Sequence, residues 1–175
     1  MIRIVSYVTT NCDKIMATEP TPEAPQAVGM PITVQAQYIK DLSFENPNAP
    51  HIFAPAQAGP DITMGVNVLT KNVGPNTYEV LLALKLDAKL QGKTAFISEL
   101  VYGGVFTLPA IQEDQMRLFL LVEAPRLLFP FARNILTTAV RDGGFPQVSI
   151  NPIDFYALYL ANKDKVGAMT TAGAA

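Results

Sequence analysis

The sequence is poor in charge, holds one cysteine and one histidine, and has no tryptophan. Asp, Glu, Lys and Arg make up 16% of its 175 residues, against about 25% in ordinary soluble domains. So little charge leaves little polar material for the outside. Such a chain hides apolar surface in an oligomer or keeps some of it exposed for a partner. The net charge of −2 excludes the basic footprint that nucleic acid or an anionic membrane surface requires. Arg126, Arg133 and Arg141 are spread along one region among apolar neighbours and read as a solvated or salt-bridged face. With Cys12 alone, neither an intrachain disulfide nor a cysteine-based metal site is possible. That suits a reducing cytoplasm. Apolar runs such as Leu118–Val122 are far too short to span a bilayer, and Met1–Met16 has no apolar run of signal-peptide length.

Catalytic patterns are equally scarce. His51 has no second histidine or nearby cysteine to complete a metal set. Ser43, His51 and Asp41 supply the residue types of a hydrolytic triad, but no nucleophile elbow surrounds any serine. Gly103-Gly104 and Gly143-Gly144 form neither a phosphate loop nor a dinucleotide fingerprint, and read as a strand bend and a helix cap. Glu113 and Asp114 suit the positive end of a helix dipole. No cofactor and no metal are expected.

What is present is a run of alternating segments followed by helical ones. Residues 1–30, with the Pro-, Ala- and Glu-rich stretch ATEPTPEAPQAVG, read as a disordered leader or a misassigned start, Met16 and Met30 being alternatives. Residues 31–163 hold the folded domain, and 164–175 read as a flexible tail.

Four segments carry the strand period. The first sets Ile32, Val34, Ala36, Tyr38, Leu42 and Phe44 against Thr33, Gln35, Gln37, Asp41, Ser43 and Glu45. The second sets Ile62, Met64, Val66 and Val68 against Thr63, Gly65 and Asn67. The third places Tyr78, Val80, Leu82, Leu84, Leu86, Ala88 and Leu90 on one side, and the fourth, Lys93 to Leu108, is apolar on both. NPNAP at residues 46–50, Gly74-Pro75-Asn76 and Gln91-Gly92-Lys93 supply the turns, and spacings this short favour antiparallel neighbours.

Helices follow: Gln112–Val122, stopped by Pro125; a second from about Pro130 to Asp142; and a last one, Ile153–Lys163, opened by Pro152. Strands first and helices after is the pattern of an α+β domain.

Two stretches carry a family resemblance. QYIKDLSFENPNAPHIF at residues 37–53 and LLFPFARNILTTAVRDGGFPQVSINPIDFYALY at 127–159 resemble the SecB export chaperones. TYEVLLALKLDAKL and GKTAFISELVYGGVF, between them, resemble that family's third and fourth strands. The likeness is co-linear over roughly residues 32–160.

It implies a four-stranded antiparallel sheet with two helices packed on one face, assembled as a dimer of dimers. It also implies an ATP-independent holdase that keeps precursor proteins unfolded and delivers them to the SecA ATPase, whose zinc-bearing C-terminal tail contacts the chaperone. SecA docking would fall to Asp41 and Glu45 in the first strand and to Ile97 and Glu99 in the fourth. Each of those pairs shares a parity and so projects from one face. Phe53, Ile62, Phe129, Phe155, Leu158 and Tyr159 are the candidates for the client groove, where aromatic and flexible aliphatic groups offer area without a fixed hydrogen-bond code. Ser98, Leu100 and Tyr102 are expected at the homotetramer interface, as part of an apolar edge strand.

The expected partners are unfolded precursors and SecA, with no nucleic acid and no membrane insertion, in the cytoplasm. A SecB-like chaperone dedicated to one partner, such as a toxin–antitoxin system, is the alternative; an enzyme and a small-ligand carrier are further classes. The chain departs from the family in its Ala-rich end without carboxylates and in its lack of tryptophan.

Overall fold

The computed structural model describes residues 32–54 and 59–169, and of 163–169 the backbone only. The expected leader at 1–30 and the last residues of the expected tail lie outside the described residues. Four strands, β1 Thr33–Glu45, β2 Asp61–Gly74, β3 Thr77–Leu90 and β4 Lys93–Thr107, form one antiparallel sheet in the order β1-β4-β3-β2. Hairpins at Pro75-Asn76 and Gln91-Gly92 join its last three strands. Asn76, Gln91 and Gly92 all take positive φ there, as turns matched to the strand twist require.

The period-2 pattern of β3 is realised in full. Val80, Leu82, Leu84, Leu86 and Ala88 are buried, and in β4 Phe96, Ser98, Leu100, Tyr102 and Phe106 bury the same face. Helices cover that side only. α1 Glu113–Leu118 is capped by no side chain, yet Glu113 accepts a hydrogen bond from Arg117 at 2.7 Å, one turn on. α2 Ala124–Asp142 lies over β3 and β4. α3 Phe155–Met169 packs on the segment between α1 and α2.

Neither proline breaks the helix where the sequence suggests. Residues 113–142 run on continuously, because Phe119–Glu123 form a π turn in which the N–H of Ala124 reaches back to the Phe119 carbonyl. Pro125, which has no N–H to give, follows this turn directly at the start of α2, where its fixed φ suits the helix. The turn also buries Phe119, Leu120 and Val122. Pro130 sits inside α2 on its exposed side, where the Arg126 carbonyl it leaves free can turn to water.

Gly143 and Gly144 close α2 as expected: Gly144 has φ +88°, and the N–H groups of Gly143 and Phe145 bond the carbonyls of Ala139 and Val140. α3 starts at Phe155, two residues after the expected Ile153, with Asp154 Oδ1 accepting the Ala157 N–H at 2.9 Å as its cap. It continues past Lys163 to Met169, so part of the expected tail is helical.

Candidate functional site

The face of the sheet away from the helices is open. Its rows follow from the register. Lys71, Glu79, Val105 and Ala36 form one, and Leu69, Leu81, Gly103 and Tyr38 the next. Then come Asn67, Ala83, Val101 and Asp41; Gly65, Lys85, Glu99 and Ser43; and Thr63, Asp87, Ile97 and Glu45. Asp41, Glu45, Ile97 and Glu99, two strands' worth of expected docking residues, thus meet on one patch at one end of this face.

The first strand reaches that arrangement through two bulges, at Val34/Ala36 and Ile39/Asp41. The second moves Tyr38 to the open face, against the simple alternation that groups it with Leu42 and Phe44. A bulge adds one residue and so exchanges the faces of everything beyond it. The extra residue, Lys40, then reaches Glu79 at 2.8 Å, and the Tyr38 hydroxyl donates to the same carboxylate. The Lys40 and Tyr38 hydrogen bonds hold the Glu79 carboxyl below its ordinary range, and burial followed by Glu79 pushes Tyr38 up to about 12.

Gly103 and Gly104 are close-approach glycines and not a bend. A Cβ on Gly103 would meet the Tyr38 ring on the open face at 2.7 Å, and one on Gly104 would meet Leu128 of α2 at 2.8 Å on the other face.

On the helix side, the segment 145–153, which is neither helix nor strand, borders with β2 an open cleft of about 520 Å³. Ile62 and Met64 of β2 with Leu86 and Phe96 line one side of it. Phe145, Val148, Ile150 and Ile153 line the other, with prolines at 60, 146 and 152. Phe145 joins an aromatic chain that leads out of the cleft: it lies 4.8 Å from Phe96 and 5.2 Å from Phe53, ring centre to ring centre.

Of the expected groove residues, Ile62 lines this cleft and Phe53, half exposed, stands next to its Phe145. Phe129 and Phe155 do not: they pack edge to face at 6.0 Å as core, 5% and 1% exposed. Leu158 and Tyr159 lie on α3 outside the cleft. Met64 shares the parity of Ile62 on β2, whereas Phe145, Val148 and Ile153 are lining residues that the strand and helix periods do not reveal, because 145–153 has neither period.

The premise for Ser98, Leu100 and Tyr102 is corrected as well. β4 is flanked by β1 and β3, and all three side chains are buried under the helices. The edges are β1 and β2. On the helix side of β1, Val34, Ile39 and Leu42 remain exposed, and Phe131 of α2 stacks on Tyr102 beside them at 6.5 Å while half exposed itself.

One sheet thus separates a largely apolar cleft on the helix side from a carboxylate-bearing patch on the other. Comparison with known proteins gives the family. Residues 7–166 match the model of SecB, the preprotein translocase subunit, so the chain belongs to the SecB family. The Protein-export protein SecB of Paramagnetospirillum magneticum is 50% identical over 153 residues, 87% of this chain and 95% of that protein. That of Nitrobacter winogradskyi is 47% identical over 137 residues, 78% and 86% of the two chains. The SecB-like chaperone of Mycobacterium tuberculosis, solved with an antitoxin peptide, shares the fold at a TM-score of 0.59 and 12% identity, over 70% of this chain and 90% of its own.

Proposed function

We propose that this protein is an ATP-independent holdase that keeps precursor chains unfolded and hands them to SecA in the cytoplasm. Family membership and relatives named for protein export, with coverage of nearly their full length, support the export role. The observation that carries the holdase reading is the apolar cleft between β2 and residues 145–153. Its walls are mainly aliphatic and aromatic, with Gln147, Ser149 and Asn151 as the polar members on the 145–153 side. They reward any apolar stretch of an extended chain and specify none. A natively folded client has such stretches buried, so only the unfolded chain binds.

SecA docks on the opposite face, at Asp41, Glu45, Ile97 and Glu99, so a client and the ATPase bind without competing for surface. The homotetramer forms over the helix-side apolar surface of β1 and the outer side of α2, where Val34, Ile39, Leu42 and Phe131 are left exposed. Ser98 and Leu100 support that surface from beneath, and Tyr102 reaches it through Phe131. The reading of a chaperone dedicated to a toxin–antitoxin pair is not favoured, because the antitoxin-bound neighbour is alike in fold alone.

Met64→Glu with Val148→Asp places two like charges in the cleft. These substitutions should weaken capture of an unfolded precursor about tenfold or more, since a charge desolvated against apolar walls costs more than a tenfold change requires. SecA affinity should stay as in the parent chain. Undiminished capture would remove the cleft from the account.

A further inference from the structure

Lys85 stands among carboxylates on the open face. Its Nζ is bound to Glu99, Asp87 and Glu45 lie in the next row, and Asp41 lies in the row before. Its hydrogen bond to Glu99, then the charge of Glu99, with Asp87 and Glu45 adding less, hold the ammonium above its ordinary pKa. The nearest lysine on β1, Lys40, is taken by Glu79. Lys89, further along β3, stands opposite Asp61. A partner approaching this end therefore meets the carboxylates of Asp41, Glu45 and Glu99 with the Lys85 ammonium already seated among them. Three carboxylates around that ammonium favour a basic partner.

We propose that Lys85 is an intramolecular occupant of the SecA-docking patch, holding the Glu99 carboxylate until an arginine-bearing segment of the partner displaces it. This rests on the docking reading above. The pair is made to come apart. Its two side chains are 52% and 45% exposed, the lysine stem has four rotatable bonds, and an exposed ion pair holds its partners weakly. While seated, Lys85 repels an incoming cation and withholds one acceptor. An arginine displaces it because its planar fork can take both carboxylate oxygens at once, which an ammonium cannot. Lys85 thereby lowers the affinity for basic partners in general and sets a preference for arginine over lysine.

The test uses the full chain and purified SecA, with affinity measured by calorimetry at low ionic strength. Lys85→Gln, a change at an exposed position that leaves the fold alone, should tighten binding about three- to tenfold. In a Glu99→Gln background the same change should gain less than about twofold, because the carboxylate it would release is gone. An unchanged or weaker affinity for K85Q overturns the proposal. So does a gain of equal size in both backgrounds, which would report net charge alone. The docking reading fails separately: if charge reversal at Asp41 and Glu45 leaves SecA affinity unaltered, the partner docks elsewhere and both fall. If that reversal abolishes binding while K85Q is silent, only the role of Lys85 falls.

Discussion

The ring of Tyr38 lies across Gly103, close enough that a Cβ on the glycine would sit 2.7 Å from the tyrosine Cζ. The contact locks β1 to β4 at the bulge that turns Tyr38 to the open face, and it sets the register in which Asp41 and Glu45 meet Glu99 and Ile97. Gly103→Ala forces either the ring or the strand to move. Overpacking of this kind costs about 1–3 kcal/mol. Urea unfolding of the alanine variant should show that loss, and Tyr38→Ala in the same chain should recover part of it by removing the clash. Wild-type stability in the single variant would contradict the geometry.

The Tyr38–Glu79–Lys40 group makes stability depend on pH at both ends. Glu79 is depressed when folded, so its contribution is present above its ordinary 4.5 and is lost as pH falls through the lower folded value. Tyr38 is raised from 10.0 to about 12, so its contribution is complete below pH 10 and is lost as pH rises from there through 12. Tyr38→Phe should flatten the alkaline limb of a plot of stability against pH, and Glu79→Gln the acid limb. Each should also shrink the other limb in part, because the Tyr38 hydroxyl helps depress Glu79 and Glu79 helps raise Tyr38. Unaltered limbs in both variants would show that the group does not titrate as a unit.

Much of this fold is legible in the sequence, and the exceptions share a cause. The even positions of β3 are read correctly because that strand is central and one of its faces is buried without interruption, while β4, apolar on both parities, shows no face until the sheet is formed. Tyr38 is misplaced because nothing in KDLSFE marks Lys40 as the extra residue of a bulge. Pro125 and Pro130 look like a stop and a start because proline is read against an α-helical ladder, and the π turn at Phe119–Glu123 is a property of packing that no local pattern shows. That Asp41 shares a face with Glu45, and Ile97 with Glu99, is legible from parity, and the register brings the two pairs to one end of the open face. The cleft is only half legible. Ile62 lies on a periodic strand, but Phe145, Val148 and Ile153 come from an irregular segment that meets β2 only through tertiary contacts.

Charge reversal at the docking patch should separate the two surfaces. Asp41→Lys with Glu45→Lys confronts a basic partner with like charge and should weaken SecA binding about a hundredfold or more, since such juxtaposition costs several kcal/mol. Capture of unfolded client should be unaffected, because the cleft lies on the other side of the sheet. Sedimentation of mixtures with SecA alone, with client alone and with both measures the two independently. Loss of both activities would mean that the substitutions unfold the domain or that one surface serves both partners.

The assembly prediction concerns β1. Ile39→Asp and Leu42→Asp place carboxylates on the exposed helix-side apolar strip and leave the protomer core untouched. Light scattering should then report species smaller than a tetramer, with far-ultraviolet circular dichroism unchanged. A tetramer that survives both substitutions would move the interface elsewhere.

The central claim is that the protein holds unfolded chains and ignores folded ones, without nucleotide. The direct measurement is the affinity of the purified chain for one slow-folding exported precursor, presented first unfolded and then native, with no ATP present. The account predicts tight binding to the unfolded form and none to the native form. Equal affinity for both forms, or binding to neither, would contradict it.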